Sequence, residues 1–321
     1  MRMLPFLLLL VACPSSSKHD DDDEEDEEDD SGDEAVMADI LLVVDNSGSM
    51  TDEAQDLALA IEALTVGLGD LDWQVGITTA SVDWSNGASP DIEPGEAGLL
   101  TGGVTSDAAE LRDQILCEAT CWSTVDLASD PDYSCGDAFA EVTIEALDCV
   151  CGVDAWTGHC GTGQEMGMEA SFMARCRAQE TPSEECYDFP DSAPVAFSTG
   201  DELSNAGLLR DGADLHVLVI SDEGDDSPRK DGTGDTDVAP YEDALGGSVH
   251  VSVIGPLWID GEVVCNGGGA LPWAVERYVN LVDATGGVYE PLTIDEPECE
   301  RASIADALAA FTESIAPDPT W

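Results

Sequence analysis

Basic residues are scarce in this chain of 321 residues. Ten lysines and arginines face 69 aspartates and glutamates, so the formal net charge is −59 at pH 7. A surface of this charge repels phosphate backbones and anionic lipid headgroups, which excludes nucleic acid as a partner. Cations and proteins with basic patches are better partners, although a solvated surface suited to salty surroundings explains the charge equally well.

Signatures of catalysis are also lacking. The sequence contains no Gly-x-Ser-x-Gly elbow, no Walker loop and no His-Glu-x-x-His motif. Its four histidines have no metalloprotease spacing, and His216 and His250 lie in strand patterns. Because no motif pairs a nucleophile with a base, we predict that the protein is not an enzyme.

No apolar run near the N-terminus is long enough to span a bilayer as a helix, which takes about 20 apolar residues. The run at residues 4–12 follows a single cation, Arg2, and is typical of a secretory signal peptide. The segment Leu10–Cys13 (LVAC) resembles a bacterial lipobox. That resemblance implies a lipoprotein signal peptide of residues 1–12, a lipid on Cys13 and a membrane-anchored location in the bacterial cell envelope, at the outer membrane or cell surface. An ordinary signal peptide is the alternative.

An acidic segment follows the lipobox. Thirteen of the fifteen residues from Asp20 to Glu34 are acidic. Such a run buries no apolar surface and repels itself, so we predict that residues 13–37 form a disordered tether.

The composition changes at Ala38, where an oxygen-rich loop follows an apolar run. Asp39–Val44 is typical of a buried parallel strand, and Thr51–Leu68 has a helical pattern. Between them lies the loop 45–49 (DNSGS), which places the oxygens of Asp45, Ser47 and Ser49 at alternate positions. Mg²⁺ prefers oxygen ligands in octahedral geometry, so the loop is a candidate metal site.

A second apolar run, Leu215–Ile220, ends before Asp222, and Thr162 lies between glycines ahead of another helical pattern. Together these segments resemble the von Willebrand factor A-type (VWA) family, over about residues 39–315. The resemblance implies a metal-ion-dependent adhesion site completed by Thr162 and Asp222. Thr157 is a weaker rival for the threonine, and Thr162 is also a candidate helix cap. The acids beside Asp222, at positions 223, 225 and 226, are candidates to replace it or to bind a second cation such as Ca²⁺.

The resemblance also implies what binds. The expected cofactor is a divalent cation, with Mg²⁺ first and Ca²⁺ or Mn²⁺ as alternatives. The expected partner is a protein or matrix ligand that offers a carboxylate to the metal, as in adhesion. The alternatives are a structural envelope lipoprotein with a fold-stabilising metal, or an accessory subunit of an envelope enzyme.

Strand and helix patterns alternate along the rest of the chain. They predict an α/β fold with a doubly wound, mostly parallel six-stranded sheet and helices on both faces, spanning residues 38–316 before a short tail at 317–321. Ligands of such sheets bind at the carboxyl ends of the strands. The remaining predicted strands are Trp73–Thr79, the edge strand Gly95–Thr101, Ser248–Ile254 and Val288–Ile294, and the helices are Ser106–Glu118, Gln164–Ala178, Trp273–Ala284 and Cys299–Ile315.

Eleven cysteines are present, and lipidation of Cys13 leaves ten. In an exported protein these favour disulfides, several of them in an insertion at about residues 119–160. Zinc binding is the alternative for Cys149, Cys151, His159 and Cys160. The disulfide candidates are Cys117, Cys121, Cys135, Cys149, Cys151, Cys160, Cys176, Cys186, Cys265 and Cys299, of which the last two are candidates to pair with each other.

Overall fold

The computed structural model describes residues 36–69, 71–80, 82, 99–101, 107–115, 165–187, 205–229, 236–245, 247–264, 270–292 and 303–315. The expected signal peptide, Cys13, most of the tether, the insertion at 119–160, Thr162 and the C-terminal tail lie outside these residues. Those predictions therefore stay predictions.

A six-stranded sheet forms the centre of the described structure, with the order β3-β2-β1-β4-β5-β8. Strand β3 is antiparallel to β2, and every other neighbouring pair is parallel. The predicted mostly parallel sheet is thereby confirmed. The strands are β1 Met37–Val44, β2 Asp72–Thr79, β3 Leu100–Thr101, β4 Asp214–Ile220, β5 Val249–Pro256 and β8 Tyr289–Leu292, and a separate hairpin consists of β6 Trp258–Ile259 and β7 Glu262–Val263.

Helices cover both faces of the sheet, as predicted. One buried apolar cluster joins the sheet to α1 and α6, and a second joins its other face to α3, α4 and α5. No helix in the described ranges combines the length and apolar character that crossing a bilayer requires. The helices are α1 Thr51–Leu68, α2 Asp107–Gln114, α3 Gly167–Ala178, α4 Ala239–Leu245, α5 Pro272–Thr285 and α6 Ile304–Ile315, with short 3₁₀ turns at Gly48–Met50 and Glu184–Cys186.

Helix α3 begins later than the sequence pattern predicts. Its first residue is Gly167 rather than Gln164, because the two preceding residues bond to other segments. The carbonyl of Glu165 accepts the Asp226 amide at 2.7 Å, and the Met166 amide donates to the carbonyl of Ala80 at 3.0 Å. These bonds connect the residues just before α3 to the segments that follow β2 and β4.

One disulfide is present among the described residues. Cys176, in the last turn of α3, is bonded to Cys186 ten positions further on. Both cysteines are fully buried. This pair confirms two of the ten disulfide candidates, and the other eight lie outside the described part of the chain.

Candidate metal centre

The carboxyl ends of β1 and β4 lie side by side and place the two acidic loops together. Val44 is in register with Ile220, and the Asp45 amide donates to the Ile220 carbonyl at 2.9 Å. The chain leaves β1 toward β2 on one side and enters β5 from β4 on the other. This is the topological switch point, where ligands of open α/β sheets bind.

Asp45 is held at both carboxylate oxygens. Its Oδ1 accepts a hydrogen bond from the Ser47 amide at 2.7 Å, which closes the tight turn of the loop. Its Oδ2 accepts from Ser221 Oγ at 2.7 Å. Asp45 is fully buried, so these two donors replace the water that its carboxylate loses on folding.

The side-chain oxygens of Ser47, Ser49 and Asp222 form one hydrogen-bonded chain. Ser47 Oγ and Ser49 Oγ are 2.9 Å apart, and Ser49 Oγ donates to Asp222 Oδ1 at 3.3 Å. Asp222 is 2% exposed, whereas Ser49 is exposed to solvent. The structure therefore brings together four of the five predicted ligand residues, with Ser49 on the open side. Their role as metal ligands stays a prediction.

Glu165 and Ser221 also belong to this region, although the sequence pattern did not single them out. Glu165 is buried, and the charges of Asp45 and Glu223 act on its carboxyl group. Ser221 binds Asp45 through its hydroxyl. The signal for Ser221 was its position as a polar residue between a buried strand and Asp222. The signal for Glu165 was its position as an acid just before a helix that begins with glycine.

The acids of the site have raised pKa values. Burial raises the pKa of Asp45 to about 7, with the charge of Asp222 adding to the effect. Burial, with the charge of Glu223, raises the pKa of Asp222 to about 6. Burial and the charges of Asp45 and Glu223 raise the pKa of Glu165 to about 9. Within the described residues no cationic side chain forms an ion pair with Asp45, Asp222 or Glu165.

Asp225 does not fit the expectation that the acids beside Asp222 serve as spare ligands. Its carboxylate is fully buried, with Oδ2 3.0 Å from Arg277 Nη1. Its Oδ1 accepts the Met168 amide at 3.0 Å and the Ser227 hydroxyl at 2.7 Å. All of its acceptor capacity serves the fold, so Asp225 is excluded as a substitute for Asp222.

The donor set fits a hard divalent cation. It offers the Ser47 and Ser49 hydroxyls and the Asp222 carboxylate in one hydrogen-bonded chain, with the Asp45 carboxylate in the same loop as the serines. Oxygen ligands with few carboxylates suit Mg²⁺. No group of three or more His, Cys, Asp or Glu side chains in the described ranges is arranged to hold a metal. A cation here therefore depends on the serine hydroxyls and on water, and soft metals that prefer thiolate or imidazole are disfavoured.

Strand order and site together define a class: a doubly wound α/β domain with an oxygen-rich cluster at its switch point. The chain matches no family model and no curated protein. Solved structures do match it. One is an aerotolerance-related membrane protein from Bacteroides fragilis with multiple mutations to serines (14% identity, 88% of this chain and 98% of that chain, TM-score 0.36).

Two further matches are much longer proteins, of which this chain spans less than half. A von Willebrand factor type A protein from Catenulispora acidiphila is 15% identical over 88% of this chain and 43% of its own, with a TM-score of 0.40. Proximal thread matrix protein 1 from the mussel byssus is 11% identical over 88% of this chain and 47% of its own, with a TM-score of 0.34.

Proposed function

We propose that the chain is a VWA-type binding domain that captures an acidic group of a protein or matrix ligand through a divalent cation. Asp45, Ser47, Ser49 and Asp222 would hold the cation, with Thr162 completing the set. The bound cation would supply positive charge and an open coordination position for the carboxylate of a partner. The proposed role is binding rather than catalysis.

The contact between the two loops carries this proposal. The Ser47–Ser49–Asp222 chain of hydroxyl and carboxylate oxygens joins residues 173 positions apart in sequence. The fully buried carboxylate of Asp45 lies in the same loop as the two serines, without a cationic partner in the described structure. Buried negative charge of this kind is costly unless it is compensated. A divalent cation at the serine oxygens would compensate it.

The proposed location is the bacterial cell envelope, with the protein anchored by a lipid on Cys13. The support is the LVAC segment in the sequence together with the Cys176–Cys186 disulfide, because disulfides persist in exported proteins.

The first test is titration of the metal-free full-length mature protein with Mg²⁺ and Mn²⁺ in a calorimeter. We expect one site, abolished in Asp45→Asn and retained in Asp226→Asn. Asp226 is an exposed acid in the Asp222 loop, so its variant removes the same charge from a residue outside the proposed ligand set. Equal binding by both variants would contradict the assignment of the site.

The second test concerns the partner. Envelope extract is passed over the immobilised protein with Mg²⁺ or with chelator, and again with Asp45→Asn. Capture that needs both Mg²⁺ and Asp45 supports a docking site. Metal binding that raises thermal stability without any metal-dependent capture would instead favour the structural role, in which the cation only holds the two loops together.

A further inference from the structure

Three of the ten basic residues of this chain are buried arginines. Only ten basic residues are available to balance 69 acids, yet Arg177, Arg229 and Arg277 are buried. Arg277 is the largest fully buried side chain of the described structure. Buried ion pairs contribute little net stability compared with apolar packing, so a pair retained in such a chain calls for another explanation.

Arg277 holds the loop that follows β4 at several points. Its Nη1 lies 3.0 Å from Asp225 Oδ2 and donates to the Ser227 carbonyl at 2.6 Å, and its Nη2 donates to the Arg229 carbonyl at 3.3 Å. The guanidinium thus bonds the segment 225–229 from α5. Asp222 lies three residues before this segment, and Gly224 between them packs directly on Ala274 of α5.

Asp225 connects the same loop to the start of α3. Its Oδ1 accepts the Met168 amide in the first turn of that helix, and the neighbouring Asp226 amide donates to the Glu165 carbonyl at 2.7 Å. The segment that leads into α3 is the one that carries Glu165 and, three residues earlier, Thr162. One buried pair therefore connects the loop that carries Asp222 to the start of α3.

We propose that the Asp225–Arg277 pair is a positioning element that fixes Asp222 and the start of α3 for a small, geometrically demanding cation. This inference rests on the proposed metal site. Mg²⁺ requires near-ideal octahedral geometry, whereas Ca²⁺ accepts more ligands and irregular geometry. Loosening the pair should therefore weaken Mg²⁺ binding more than Ca²⁺ binding, which a purely structural pair would not do.

The test measures Mg²⁺ and Ca²⁺ affinity for the full chain and for Arg277→Met, at a temperature where circular dichroism shows both to be folded. Supporting groups around metal ligands typically change metal affinity by about 10–100-fold when mutated. We expect a loss of about 10-fold or more for Mg²⁺ and a smaller loss for Ca²⁺. If Arg277→Met does not fold, Arg277→Lys and Asp225→Asn provide the same comparison with less change in volume.

Arg210→Met is the matched control. Arg210 also forms a close ion pair, with Asp39 at 2.6 Å, but near the amino-terminal end of β1, at the other end of the strand from Asp45. We expect this variant to lose stability while the Mg²⁺ to Ca²⁺ affinity ratio stays that of the wild type. The inference is overturned if the ratio is unchanged in the Arg277 variants, or if it shifts equally in Arg210→Met. Absence of metal binding by the wild type would instead contradict the proposed function itself.

Discussion

At the scale of single residues, Asp45 depends on a hydroxyl that is not part of the loop motif. Ser221 Oγ donates to Asp45 Oδ2 and in turn accepts the Glu223 amide at 3.1 Å. This hydroxyl is completely buried between the two loops. It orients the aspartate without being one of the proposed ligands, as outer-shell groups of metal sites do.

We predict that Ser221→Ala weakens Mg²⁺ affinity by about 10–100-fold, because a buried carboxylate oxygen loses its donor. Calorimetric titration measures the effect. The control is Ser252→Ala, which removes another buried hydroxyl, on β5, that accepts the amide of Val288 at 3.1 Å. Its Mg²⁺ affinity should equal that of the wild type. Unchanged affinity in Ser221→Ala would show that Asp45 is not oriented through this serine.

Single residues also show where the sequence was sufficient for predicting the candidate site. Asp45 and Asp222 each follow an apolar run, so the local pattern placed each of them at the carboxyl end of a strand. That the two strands are neighbours is shown by the structure. Asp225 lies in a run of acids that look alike in the sequence, yet its partner Arg277 is 52 positions away. Which acid turns inward is decided by tertiary contacts, and no local pattern carries that information.

At the scale of elements, the start of α3 is packed too closely for any side chain. A Cβ at Gly167 would lie 2.5 Å from Tyr278 Oη and 2.6 Å from Val219 Cγ1. Both neighbours are fully buried, in α5 and β4. The glycine therefore allows the helix to approach the sheet, which brings the residues before it near Asp45.

We predict that Gly167→Ala lowers the free energy of unfolding by about 1–3 kcal/mol, the usual range for overpacking a core. Urea denaturation followed by circular dichroism measures it. Gly247→Ala is the matched control, because a Cβ there meets no atom within 4 Å. A loss of stability of the same size in both variants would contradict the close approach at Gly167.

The His216–His250 contact between β4 and β5 predicts a pH effect. The rings stack with centroids 5.1 Å apart, and burial, then the charge of His250, lowers the pKa of His216 to about 4 from its usual 6.5. Between these values the unfolded chain binds more protons than the folded one, so stability falls as the pH drops from 6.5 toward 4. The urea midpoint of His216→Phe, which cannot be protonated, should fall less over this range than that of the wild type. Parallel decreases would contradict the assignment.

Elements with strong internal patterns were predictable from the sequence, and short ones were not. Helix α1 has the predicted bounds, since its eighteen residues repeat an apolar face between a loop and Gly69. Helix α4 has seven residues and the β6–β7 hairpin has two residues a strand, too few to show a period. The signal for the hairpin was the Asp260–Gly261 pair, whose positive φ angles suit a tight turn between strands.

At the scale of the whole molecule, the charge of −59 makes folding sensitive to salt. Confining like charges in a compact domain destabilises it through self-repulsion, which added salt screens. We predict that the melting temperature rises between low salt and about 1 M NaCl, where the Debye length falls to about 3 Å. Calorimetric scans at matched pH measure the rise. A melting temperature that stays level or falls would mean that the charges lie too far apart to matter.

The same charge also attracts cations non-specifically, because 69 acids are spread along the chain. Ionic strength must therefore be held constant with NaCl while Mg²⁺ is added. A cation bound only by the folded state adds about 2.7 kcal/mol of stability at about 100 times its Kd, whereas screening adds nothing further. We predict that Mg²⁺ raises the melting temperature of the wild type and of Asp226→Asn but not of Asp45→Asn. An equal rise in all three would mean that Mg²⁺ acts on the diffuse negative charge of the surface. Asp45 would then have no role in binding the cation.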